Sequence, residues 1–111
     1  MTLVIEQEFV VVGKEDYWEW LSYGDGHEPK RVIKQLHLQQ KIENATFIPR
    51  IGEGIDSGIW ESTDNPQKVE GVTYFFKLNS VRVDLPIYYI PEDRAEEPLR
   101  RIKCSGDWEI I

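Results

Sequence analysis

The run Leu3-Val4-Ile5-Glu6-Gln7-Glu8-Phe9-Val10-Val11-Val12, β-branched and stopped by Gly13, constrains the fold more than any other stretch of this chain. Such a run reads as one strand, or as a strand carrying an irregularity. Segment 32–42 needs a decision between periods. On a helix Val32, Ile33 and Leu36 fall on one side and Leu38 and Ile42 nearly opposite; on a strand Val32, Leu36, Leu38 and Ile42 share a face, interrupted only by Lys34 and Gln40. The strand keeps the apolar set together and is the reading adopted.

Proline and glycine punctuate the rest of the chain. Between Thr46 and Ile55 one proline and two glycines cannot sit comfortably in a central ladder, which predicts an edge strand, a bulge or a barrel corner. There Pro49 marks where ladder hydrogen bonding stops, Gly52 and Gly54 supply a positive φ or a close backbone approach, and Arg50 and Glu53 clamp across the corner. This is a structural turn. It lacks the Lys-Ser/Thr ending and the following helix of a phosphate loop. Segments 69–78 and 81–85 alternate cleanly and predict a hairpin across Asn79-Ser80, with Val72, Tyr74 and Phe76 on one face. Pro86 and Pro91 bracket 87–90 as an extended edge, 92–97 is a solvated turn or one helical turn, and 99–104 is read as a last strand. The other helix candidate, 14–22, is short and is stopped by Gly24 and Gly26; loop 61–68 is a polar surface connection.

The chain's 111 residues make one domain, 1–111, large enough to hold a core without staples. Hydrophobic residues at 41% and aromatics at 12% argue against disorder. No apolar run exceeds four residues, so neither a membrane span nor a signal peptide is expected, and a cytoplasmic location is inferred. A single cysteine, Cys104, excludes an internal disulfide and a multi-cysteine metal site. The result is an all-β or β-rich α+β domain: a small, strongly bent antiparallel sheet or partly open barrel with an amino-terminal extension and at most one or two short helical turns.

The middle of the chain carries a likeness. Phe47-Ile48-Pro49-Arg50-Ile51-Gly52-Glu53, then Val72-Thr73-Tyr74, then Val81-Arg82-Val83-Asp84-Leu85 resemble a pattern in small bacterial and phage proteins, in which an apolar-x-Pro-Arg-apolar-Gly-Glu turn precedes a closing hairpin. The likeness spans 32–85 and implies a compact barrel of Src-homology type. It implies no activity, and the insert between Ile55 and Val69 and the first 30 residues depart from the pattern.

Net charge is −7, which disfavours a general nucleic-acid binder because phosphates need a cationic surface. Residues 1–28 carry a balance of −6, 29–50 of +4 and 51–97 of −6. Lys30, Arg31, Lys34, His37 and Lys41 offer a basic track along 32–42, opposed by the acidic blocks on both sides. No enzyme signature emerges. His27 lies beside Asp25 and Glu28 in a glycine-rich loop, a set that suits either a metal or, more ordinarily, a polar loop. His37 falls on the polar face of its strand. Cys104 follows Arg100, Arg101 and Lys103, which favour a thiolate, but no base or oxyanion site accompanies it and a strand position makes it a packed small hydrophobe.

Binding has firmer support. Asp16, Tyr17, Trp18, Glu19 and Trp20 concentrate aromatic rings among acids just before the glycine-rich loop. Either the indoles plug the end of the domain, or they form an exposed patch rimmed by Glu15, Asp16 and Glu19; Trp60 and Trp108 are read as core or end-plugs. The expected function is therefore a non-enzymatic acidic module, without cofactor or metal, that docks a basic protein partner. Inhibitors, immunity proteins and phage counter-defence proteins share this profile. Two alternatives stay open: a barrel binding a small ligand or metal near Asp25, His27 and Glu28, and a homo-oligomer assembling through the edge at 86–91.

Overall fold

The computed structural model describes residues 1–23, 31–56 and 66–111. In chain order its elements are β1 (Thr2–Val12), α1 (Lys14–Tyr23), β2 (Val32–Ile42), β3 (Gly54–Ile55), β4 (Gln67–Lys68), β5 (Gly71–Phe75), β6 (Ser80–Asp84), β7 (Tyr88–Pro91), α2 (Glu96–Ser105) and β8 (Glu109–Ile110). The β-branched opening run is the organising strand. β1 sits inside a six-stranded sheet of order β5-β6-β1-β2-β8, with β7 also paired to β1, while β3 and β4 form a separate pair. The sheet is open and strand-rich, as expected, but two features differ from the expectation. The amino-terminal segment is central rather than an extension, because β1 is flanked on both sides. The sheet is also mixed: β2 runs antiparallel to β1, from Leu3 opposite Ile42 to Val11 opposite Lys34, whereas β6 and β7 run parallel to it. Period-2 alternation decides which face a residue takes and carries no information on a neighbour's direction.

β6 and β7 occupy one side of β1 in tandem. Thr2 to Glu6 pair with Ser80 to Asp84, and Phe9 to Val12 pair with Tyr88 to Pro91, so the partner strand carries one extra residue at 85–87. This bulge contains Pro86, which has no N–H to give a ladder. Leu85 N still donates to Glu6 O (2.9 Å), and the carbonyl of Pro86 is taken up by Gln7, whose Nε2 donates to it at 2.8 Å. Gln7 is only 2% exposed and is the one polar side chain in the buried set of described residues. Its Oε1 has no partner.

One face of the sheet makes the core. Leu3, Ile5, Phe9 and Val11 of β1, Leu38 of β2, Val81 and Val83 of β6, and Tyr88 and Ile90 of β7 pack with Leu85, Ala95, Ile102 and Trp108. Trp108 is core, as expected. From Phe9 onward β1 is buried on both faces, because α1 folds back over the reverse side and sets Trp20 against Tyr89 (ring centroids 4.9 Å), the register partner of Val10.

Segment 99–104 is helix, not strand. Ala95, Pro98, Leu99 and Ile102 follow the i, i+3, i+4, i+7 spacing of one helix face, and Ala95, Pro98 and Ile102 are buried. Acids fill the first turn, Lys103 lies in the last, and Gly106 follows at φ 71°. Cys104 is consequently exposed on α2 instead of packed in a strand. The Glu97 carboxylate accepts from Arg100 Nη2 at 2.6 Å and lies 3.5 Å from Arg101 Nε. The Arg100 hydrogen bond holds the Glu97 carboxyl below the usual carboxylate range. A lowered folded pKa gives stability present above the unfolded value and lost as pH falls through the folded one. Glu97→Gln should therefore lower Tm slightly at neutral pH, and thermal melts should show the difference closing in acid.

The turn after β2 matches its sequence reading in part. Pro49 is buried and Gly52 takes φ 89°. Gly54 serves close approach, since a Cβ there would lie 2.7 Å from Pro66. The Arg50–Glu53 clamp exists, but as Glu53 Oε1 accepting from the backbone N–H of Arg50 at 2.7 Å rather than from its guanidinium. The β5–β6 hairpin turns through four residues, 76–79, with Phe76–Leu78 in a 3-10 turn and Asn79 at φ 48°, so Phe76 leaves the strand face it was expected to share.

Candidate protein-docking surface

α1 grows directly out of β1. Gly13 N donates to Arg31 O (3.1 Å), holding the start of α1 beside β2, and the Gly13 carbonyl accepts from Tyr17 N at 2.9 Å to begin the helix. Glu15 and Asp16 in the first turn suit the positive end of the helix dipole. The 3-10 turn Glu92–Arg94 lies against this helix: Lys14 Nζ is 3.8 Å from Asp93, and the Arg94 guanidinium is 5.4 Å from the ring centroids of both Tyr17 and Trp18. Tyr17 also contacts Trp18 edge-on (5.5 Å) and Trp20 (5.8 Å).

The expected binding residues divide by depth. Trp20 and Tyr17 are half-buried anchors, whereas Trp18 is 50% exposed. Asp16 is half-buried and turned back toward Gly13 and Arg31: a Cβ on Gly13 would meet Asp16 Oδ2 at 2.8 Å and Arg31 Cδ at 3.4 Å. Glu19 is exposed, as is Glu15, and positions 15, 18 and 19 share one helix face, with Trp18 at one side of the acid pair. Neither acid makes an ion pair among the described residues. The nearby cations Lys14 and Arg94 are already engaged within the chain, so the face keeps an acidic surplus around a half-open indole.

The acids of β1 behave differently. Gln39 Nε2 donates to Glu6 Oε1 (2.9 Å), with His37 Nε2 at 3.5 Å and Arg82 Nε at 3.9 Å from Oε2, and Arg82 Nε is 3.2 Å from Asp84 Oδ1. Gln35 Nε2 donates to Glu8 Oε2 (3.1 Å). These residues share the solvent face of β1, β2 and β6; His37 of β2 and Arg82 of β6 lie against Glu6, and Glu8 is hydrogen-bonded by a neutral amide of β2. The basic track is split: by register His37 and Lys41 share that face, opposite Glu8 and Val4, while Lys34 lies opposite Val11 on the other. Among the described residues no three His, Cys, Asp or Glu side chains gather with metal-holding geometry. Asp25, His27, Glu28, Lys30 and Trp60 lie outside the described residues.

No known family, curated protein or solved structure matches the chain. Its surface chemistry must speak for it. No helix among the described residues is long and apolar enough to cross a membrane.

Proposed function

We propose that this chain is a non-catalytic binding module that docks a basic protein on the face of α1 bearing Glu15, Trp18 and Glu19. The observation that carries the reading is Trp18, half exposed beside two acids that have no ion-pair partner among the described residues. A buried indole at an interface centre is a typical hot spot, and unpaired rim acids steer a cationic partner toward it. Partners of this kind include nucleases and toxins whose own working grooves are positive, the targets of acidic inhibitors and immunity proteins; an acidic helix then stands in for a phosphate row.

The test compares affinity capture by the wild-type chain, by Trp18→Ala, and by Glu15→Lys combined with Glu19→Lys. The wild type should retain a protein of high pI. Trp18→Ala should weaken that complex by about 30-fold or more, and the double lysine variant should slow association and erase its salt dependence. Circular dichroism checks that each variant is folded. Capture unaffected by all three substitutions, or of an acidic protein, overturns the reading.

A further inference from the structure

The β5 edge of the sheet carries a second surface. Thr2 N donates to Asn79 O and Leu85 N to Glu6 O, which in a parallel ladder aims the backbone groups of Val81, Val83 and Leu85 at β1 and those of Ser80, Arg82 and Asp84 at β5. Their partners Phe75, Thr73 and Gly71 therefore turn inward. Val72 and Tyr74 present their N–H and C=O groups to the open edge, where none of the described residues meets them. Beside that edge an open groove of about 510 Å³ runs between β5 and the turn at 48–51.

Other edges of the sheet are guarded. Pro86 precedes β7 and Pro91 ends it, Lys34 stands in the open end of β2, and β8 is two residues long. β5 reads Gly-Val-Thr-Tyr-Phe, with neither proline nor charge. An unguarded apolar edge is a template for another strand. It continues into Phe76, which stacks on Tyr74 (6.1 Å), and Leu78. With Ile51 across the groove, these side chains are exposed from 52% at Tyr74 to 89% at Phe76. They leave on the order of 500 Å² in water, most of the roughly 800 Å² that one partner gives to a stable dimer.

We propose that β5 is a homodimerisation strand, pairing antiparallel with β5 of a second copy about a two-fold axis at Thr73. This register overlaps all five residues, sets Val72 opposite Tyr74 so that the outward groups exchange hydrogen bonds, and sets Phe75 opposite Gly71, which has no side chain to oppose the ring. It also brings Glu70 of each copy toward Lys77 of the other. Both are exposed and neither makes an ion pair within the chain among the described residues. That self-complementarity selects a second copy over an unrelated peptide.

Sedimentation across a wide concentration range should approach twice the 13.0 kDa chain mass. Tyr74→Pro removes an outward N–H and no hairpin bond, and Val72→Lys puts a charge into the groove; each should return the mass to 13.0 kDa with the circular dichroism spectrum unchanged. Thr73 lies on the axis as a non-hydrogen-bonded pair with Cα atoms about 4.5 Å apart, close enough for a disulfide. In a Cys104→Ser background, Thr73→Cys should oxidise to a covalent dimer, an outcome that also decides the matter if the proline variant does not fold. A monomer at every concentration, an open-ended polymer, a dimer indifferent to both edge variants, or an edge that binds only extended peptides would each overturn the proposal.

Discussion

Replacing Phe9 by alanine should lower folding stability by about 3–5 kcal/mol, the largest loss expected from one truncation in this chain. Phe9 is fully buried at the crossing of three strands. By register it lies opposite Leu36 on β2 and Tyr88 on β7, whose ring centroid is 5.5 Å away. It is also where β1 stops being half-exposed and becomes buried on both faces. The surrounding strands are tied by ladder hydrogen bonds and cannot collapse into the void, so the cavity term is kept nearly in full. For a domain whose total stability is about 5–15 kcal/mol, the loss is a large share. Urea unfolding should show a lower midpoint with unchanged slope, and Phe9→Leu should recover most of it. A loss below about 1 kcal/mol would mean that the site repacks and that β1 is not the centre of the core.

How much of this was legible before the structure depends on which signal each element carries. β1, β2 and the β5–β6 hairpin announce themselves through β-branched runs and alternation, and α1 through a short run ended by glycines. α2 was hidden. Read from Leu99 its residues pass for a strand, and only when Ala95 and Pro98 are included does the helical spacing emerge; proline in the first helical turn misdirects because it is tolerated there and nowhere deeper. The parallel pairing of β1 with β6 and β7 had no local signature at all, since it depends on where the chain arrives after the 43–56 turn and the hairpin.

The candidate site was partly legible for the same reason. A helix places Glu15, Trp18 and Glu19 together, and the composition of 14–22 already contained that face. What sequence could not supply was Arg94, more than seventy positions away in the chain, lying over Tyr17 and Trp18. Nor does it tell that Glu6 and Glu8 take hydrogen bonds from β2 while, among the described residues, Glu15 and Glu19 take none from any side chain. The β5 surface had a signal that alternation obscured: Tyr74-Phe75-Phe76 places three rings in succession, and a strand cannot bury consecutive residues on one face.

Gln7→Glu carries the second large expected effect, about 3–5 kcal/mol at neutral pH, although it changes a single atom type. Gln7 is held at the 85–87 bulge, its Nε2 donating to the Pro86 carbonyl at 2.8 Å. A carboxylate there loses the donor, turns a negative oxygen toward a carbonyl and sits at a position 2% exposed with Leu38 as its register partner. Burial raises the folded-state pKa of such a group above its unfolded value of about 4.3. The penalty is therefore complete above the folded pKa and fades as pH falls through it toward the unfolded one, because the protonated acid regains an O–H for Pro86. This trend runs opposite to Glu97, whose contribution disappears in acid. Gln7→Leu separates the two components: it leaves the Pro86 carbonyl unpaired but also removes the orphaned Oε1, and should cost only about 1–3 kcal/mol with no pH dependence of its own. Urea midpoints for the three proteins across the acidic range measure both. If Gln7→Glu were equally destabilising at every pH, its carboxylate would be reaching water, and the bulge would not be the sealed junction that joins β6 and β7 to the central strand.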